Sequence, residues 1–234
     1  MARTARLGLV LLLLVFIGPA GAQAVLRPAV RQETWGSIGV RGRLPGFFKD
    51  MMGKDTYKRF RLGGELGYRS ADVFFAGRQF YVEGTMHYKI SDLLSVGAEH
   101  RFSDRSNDRS RQRSVVQVMV DKEWDRFSAG YRFMYQHTYV EFGGQREVFR
   151  NKIDMKYNIP KWKLDPEFSM EFWTWAGNKG LSYFGTRYKL GTEYTISKGH
   201  DIGFGILHDR ERDKAWPTHR WIWSVSYTLN LRRV

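Results

Sequence analysis

Ten stretches of this chain alternate apolar and polar residues with a period of two, the signature of a β-strand with one oily face. In "FYVEGTMHYKI" (80–90), Phe80, Val82, Met86, Tyr88 and Ile90 oppose Tyr81, Glu83, Thr85, His87 and Lys89. The same pattern recurs in "FRLGGELGYR", "FGTRYKLGTEY" and "WIWSVSYTLNL". The segments fall at about 57–69, 79–90, 93–102, 113–122, 126–137, 148–157, 165–175, 182–194, 201–208 and 219–231. Short turns near 91–92, 123–125, 158–163 and 197–200 alternate with longer polar loops at 70–78, 103–112, 138–147, 176–181 and 209–218. Tight turns at one end and longer loops at the other are the rhythm of an up-and-down barrel.

The chain opens with Arg3 and Arg6, then the apolar run Leu7–Ile17, then small residues up to Ala24. That order reads as a secretory signal peptide over 1–22. No second apolar run is long enough for a membrane-spanning helix. The chain has no cysteine, so export brings no disulfides. Its formal charge of +14 would suit nucleic acid in a cytosolic protein, but an exported one meets anionic lipid instead.

These features predict an all-β fold: an antiparallel up-and-down transmembrane β-barrel of about ten strands, twelve being possible. It occupies 57–234, in the outer membrane, with both termini at the tight-turn end. Residues 23–56 form an N-terminal segment whose "ETWGSIGVRGRL" (33–44) reads as one extra strand. An eleventh span would break the even count usual for bacterial barrels, so this piece is expected at the rim, in the lumen, or in a twelve-strand wall. Aromatic residues cluster near both strand ends, as membrane-interface girdles do. Tyr88, Trp124, Tyr157, Trp162 and Tyr194 fall at the tight-turn end; Tyr68, Phe80, Phe102, Tyr135, Trp173, Trp175, Phe184 and Trp221 fall at the other. The oily face should then meet lipid and the charged face the lumen.

By parity the lumen holds Arg59, Arg61, Lys89, Arg101, Arg132, Arg150, Lys152, Arg187 and Lys189 against Glu65, Glu83, Glu99, Glu171 and Glu193, with His87 among them. Such charges either pair into a plug or line a narrow pore that favours anions. Arg105, Arg109, Arg111 and Arg113 in "SDRSNDRSRQR" are candidates for contact with lipid phosphates of lipopolysaccharide. His208 and His219 flank Asp209, Glu211 and Asp213, but the spacing matches no metal motif, and neither metal nor cofactor is expected. The nucleophile motif G-x-S-x-G is absent and no serine pairs evidently with a histidine, so catalytic residues are not assigned.

Ser224, Ser226, Leu229 and Leu231 in "SVSYTLNL" resemble the signal read by the barrel assembly machinery, with serine where glycine is usual and no terminal aromatic. Trp35 on a first strand, "GYRS" closing the second, "FRNKIDMKY" (149–157) and "RYKLGTEYTISKGHDIGFGI" (187–206) resemble a family of small outer-membrane barrels, domain-of-unknown-function family 2490. That resemblance implies residence in the outer membrane and brings no catalytic residues. The function expected is a non-enzymatic membrane component, structural or a narrow anion-leaning pore. The competing expectations are a lipid-modifying enzyme with its site at the outer rim, and a secreted β-sandwich that binds an apolar ligand.

Overall fold

The computed structural model describes residues 29–70, 76–106, 108–139, 147–177, 180–212 and 218–231. Residues 1–22, read from the sequence as a signal peptide, therefore lie outside the described residues, as do Asp213 and the Arg109 side chain. Strand β1 (Ala29–Gly42) is followed by two short helices, α1 (Phe48–Met52) and α2 (Lys54–Arg59). Ten more strands follow: β2 (Phe60–Ser70), β3 (Gly77–Lys89), β4 (Leu94–Arg105), β5 (Asp108–Trp124) and β6 (Phe127–Tyr139), then β7 (Glu147–Tyr157), β8 (Asp165–Gly177), β9 (Gly180–Ser197), β10 (His200–Glu211) and β11 (Thr218–Asn230). All eleven close into one barrel.

From β2 to β11 every neighbouring pair is antiparallel and consecutive in sequence. The expected ten-strand meander is present, and the "ETWGSIGVRGRL" segment completes its wall. It is neither a rim piece nor a luminal one. β1 pairs antiparallel with β2 from Trp35↔Arg69 to Gly42↔Leu62, and parallel with β11 from Ala29↔Thr218 to Arg41↔Asn230. The parallel seam is arithmetic: an odd number of alternating strands can close only if one pair runs the same way. Parallel ladders are slightly weaker per residue, but an open wall would leave two rows of backbone groups unpaired. One consequence corrects the expectation that both termini share an end. β1 starts at the long-loop end beside Thr218, while β11 finishes at the tight-turn end beside Arg41.

The short connections follow local chemistry. Asp125–Arg126 joins β5 to β6 as a two-residue hairpin with Asp125 at φ 41°, and Gly199 at φ 82° turns β9 into β10. Both conformations match the twist of tight hairpins. At the same end, Tyr57 of α2 donates its hydroxyl to Leu44 O at 2.8 Å, and Arg59 donates to Ile90 O at 2.5 Å. The helices are thus tied to the wall rather than inserted in the lumen.

The alternation decides which face is which. Val82, Val118, Ile153, Leu190 and Val225 point outward and are exposed, whereas Glu83, Gln117, Glu171 and Asp209 point inward and are buried. The barrel is therefore inside-out relative to a soluble protein. Trp124, Tyr157 and Trp162 ring the outer surface at the tight-turn end; Phe80, Tyr139 and Trp221 do so at the other. Three residues expected in that second ring do not belong to it. Trp173, 8% exposed, and Phe184 line the lumen, and Trp175 shares the parity of Trp173 opposite the lumen residue Val148.

Candidate functional site

The lumen is built of charge held by neighbouring strands. Glu83 on β3 sits opposite Arg101 on β4, which donates through Nε at 2.6 Å; both are buried. Arg113 of β5 reaches the same carboxylate at 3.2 Å and pairs also with Glu99. Arg150 donates to Glu171 at 2.6 Å and to Gln136 Oε1 at 3.2 Å. Arg187 grips Asp209 with two parallel bonds, Nε at 2.6 Å and Nη2 at 2.7 Å. Arg220 pairs with Glu211 and stands 3.8 Å from both Asp209 and Glu33. A two-pronged pair such as Arg187–Asp209 is the strongest a guanidinium makes, and burial favours pairing of all these charges.

A stack of planar groups crosses this network. The guanidinium of Arg187 lies 4.9 Å from the Trp173 ring centre and 4.8 Å from that of Trp35. Arg69 covers the other side of the sequence at 4.0 Å from Trp35 and 5.2 Å from Tyr81, and Arg101 ends the column 3.8 Å from Tyr81. Trp173, Arg187, Trp35, Arg69, Tyr81 and Arg101 thus form one aromatic–cation column running from β8 and β9 through β1, β2 and β3 to β4. Each such contact contributes about 0.5–2 kcal/mol, more where water is excluded. Gly67 makes room for it: a Cβ there would stand 2.0 Å from the Tyr81 ring. The Tyr81 hydroxyl is anchored on Glu65 at 2.6 Å, and Trp35 Nε1 donates to Glu33 at 3.0 Å.

Three cavities adjoin the network. A vestibule of about 570 Å³ opens toward the long-loop end and is lined by nine arginines and two lysines against Glu99, Glu171 and Glu211. A cavity of about 740 Å³ toward the tight turns holds Arg61, Glu65, His87 and Asp121, and one of about 480 Å³ holds Asp154, Lys156 and Glu167. The vestibule shares Glu99 and Arg132 with the first and Lys152, Ser169 and Lys189 with the second. Those five residues form the waist of the lumen. Lys152 is paired to Asp154 at 2.5 Å and Glu99 to Arg113, whereas Arg132 and Lys189 have no carboxylate within ion-pair distance among the described residues. The Lys189 stem lies over Gly191 and Gly205, whose missing side chains leave it space.

Most parity-assigned lumen residues therefore meet in one system, with the rim holding the rest. Arg59 binds backbone carbonyls of the β3–β4 turn, and Lys89 pairs with exposed Asp92 at 2.7 Å. Arg61 is held by the carbonyls of Lys58 and Phe60 (the latter at 2.7 Å), and Glu193 stands in register with Asp165 near the tight turns. The arginines proposed for lipid phosphates are placed differently. β4 and β5 continue as a raised hairpin, and Arg105, Arg111 and Arg113 line the vestibule. Sequence reasoning also missed Glu33, Trp35 and Asp209 as lumen groups, whereas Tyr81 lies on the inward face that parity gave it. Asp209 and Glu211 turn inward to arginines, while His208 and His219 face outward 3.2 Å apart among Tyr188 and Trp221. They do not converge on a metal.

A second polar group lies on the outer surface near the long-loop end. The register places His100, Ser114, His137 and Glu147 side by side across β4 to β7. His100 Nδ1 is 3.0 Å from Ser114 Oγ, and His137 Nδ1 is 2.5 Å from Glu147 Oε1. Tyr139 contacts both Ser114, at 3.2 Å, and the His137 ring. A serine–histidine pairing, not evident in the sequence, is created by strand register alone.

Removing Asp209 strands the Arg187 guanidinium. Asp209→Ala is expected to lower the stability of the refolded barrel by about 3–5 kcal/mol, read as a reduced urea midpoint. Replacing the pair together, Arg187→Met with Asp209→Leu, should recover most of that loss. An unchanged midpoint in the single variant would show that the pair carries no such weight.

No curated protein matches the chain. A family model described as protein of unknown function (DUF2490) matches residues 33–219, from the middle of β1 into β11 and thus nearly the whole wall. The chain belongs to that family.

Proposed function

We propose that this protein is an integral outer-membrane β-barrel whose lumen is a narrow passage favouring anions. The outward face supports the membrane reading: soluble proteins rarely expose a contiguous apolar surface, yet Val82, Val118, Ile153 and Val225 share one bounded by two aromatic rings. β5 and β9, 17 and 18 residues long, exceed the 9–11 needed for a tilted crossing and would rise beyond the bilayer. Insertion would proceed through the assembly machinery reading Ser224, Ser226 and Leu229 on β11, the strand that closes the seam, and Leu231 just after it. Lipid and lipopolysaccharide would be the partners of the outer wall.

The observation that carries the anion preference is the waist. Cavities on both sides share Arg132 and Lys189, two cations without carboxylate partners among the described residues. In a narrow, low-dielectric lumen, fixed charge of one sign selects ions of the other. The refolded protein in a planar bilayer should open steadily and pass chloride in preference to potassium. Arg132→Glu with Lys189→Glu should move the reversal potential toward cation preference. A correctly folded barrel that never conducts would refute the passage.

The row on the outer rim favours a second reading, a lipid-acting hydrolase. Ser114 Oγ would attack an acyl-ester carbonyl and pass its proton to imidazole. The imidazole returns that proton to the departing alkoxide, and water then releases the acid by the same route. Glu147 orients His137 through Nδ1, and His100 already contacts the hydroxyl. A fluorophosphonate probe should label the wild-type barrel in detergent and fail to label Ser114→Ala. A wild-type protein that takes no label would exclude this reading.

A further inference from the structure

The aromatic–cation column contains three guanidiniums whose edges are treated differently. Each lies over an aromatic ring, which leaves its N–H groups to donate away from that ring. Arg187 presents that edge to Asp209 through Nε and Nη2, and Arg101 presents its own to Glu83 through Nε. Arg69, between Trp35 and Tyr81, has no carboxylate within ion-pair distance among the described residues, and its buried Nε has no acceptor there. The protein thus shows twice how an oxyanion docks on the column, while the third guanidinium, Arg69, has no such partner among the described residues and belongs to the lining of the vestibule.

Three more buried donors point to the same chemistry. The Nε atoms of Arg113, Arg132 and Arg220 also have no acceptor among the described residues, and all three side chains line the same vestibule. With Arg69 they stand on β2, β5, β6 and β11, so the donors come from separate parts of the wall. Buried N–H groups without acceptors are costly and rare. A planar carboxylate can answer donors in one plane. A tetrahedral phosphoryl group offers oxygens in several directions, and its higher charge suits a cavity where arginine and lysine outnumber acids.

We propose that the outer vestibule is a binding site for a phosphoryl-bearing solute, gripped by Arg69 of its lining and completed by Arg132 at the waist. This rests on the reading of the lumen as an anion passage and names the class of anion the passage holds. The bound group would sit above the constriction, where it would also impede smaller anions.

The test is calorimetric titration of the refolded full-length barrel with pyrophosphate at constant ionic strength, with chloride and orthophosphate as comparisons. Saturable binding of one pyrophosphate per barrel is expected, with orthophosphate weaker and chloride not saturable. Arg69→Lys keeps the charge but not the fork, and should weaken pyrophosphate by about tenfold or more, as loss of a charge-assisted bidentate contact does. If that variant does not fold, as judged by heat-modifiable migration, Arg132→Gln lines the same cavity and should weaken binding similarly. Absence of saturable binding, or equal affinity in folded Arg69→Lys and Arg132→Gln, would overturn the site. A barrel that conducts chloride without binding pyrophosphate loses this site and keeps the passage; one that binds without conducting keeps the site and loses the passage.

Discussion

Closure of the backbone ladder is the constraint on which everything else rests. A strand edge facing an apolar medium leaves N–H and C=O groups without partners, so the wall must have no edge. The ten-strand meander alone could have closed by antiparallel pairing of β2 with β11. Instead β1 is inserted between them and accepts one parallel seam as the consequence. That insertion brings Glu33 and Trp35 into the lumen. Without Trp35 the column would break between Arg187 and Arg69, and without Glu33 there would be no carboxylate between Arg78 at 3.7 Å and Arg220 at 3.8 Å.

The lumen then balances two demands. Charges removed from bulk water need partners, which favours a plug, and Arg187–Asp209, Arg101–Glu83 and Arg150–Glu171 meet that demand. Yet the arginines and lysines exceed the acids, so pairing cannot be complete. Among the described residues Arg69, Arg132 and Lys189 have no carboxylate partner, and all three line the vestibule. A purely structural filling would place apolar side chains there, as it does at Val115 and Ile222. The ion pairs cross-link neighbouring strands, and the cations left without carboxylates line the cavities between them.

Much of this was legible because a strand's period is two. The face of Glu83, Glu99, Arg101, Arg150 and Glu171 follows from parity within each segment, and needs no knowledge of neighbours. Register is what parity cannot supply. Asp209 looked like a loop acid beside His208 because the strand boundary lies beyond it, at Glu211. Trp173 looked like a girdle residue although it shares the parity of Glu171, whereas Phe184 is the residue skipped at the bulge in the β8–β9 pairing, which parity could not foresee. The row His100, Ser114, His137, Glu147 spans four strands and leaves no local motif. The even-number rule misled over β1, whose alternation alone, Ile38 and Val40 against Ser37 and Arg41, gave it the credentials of a full strand.

The central claim is that this barrel is inside-out, with its oily face in lipid and its charged face enclosed. Quenching of single tryptophans by brominated acyl chains tests it directly, on variants refolded into vesicles that keep either Trp223 or Trp35. Trp223 faces outward and is 47% exposed, and Trp35 is stacked between Arg69 and Arg187 inside. Strong quenching of Trp223 with little effect on Trp35 is the predicted result. Equal quenching of both, or a chain that stays in solution with neither quenched, would contradict the account.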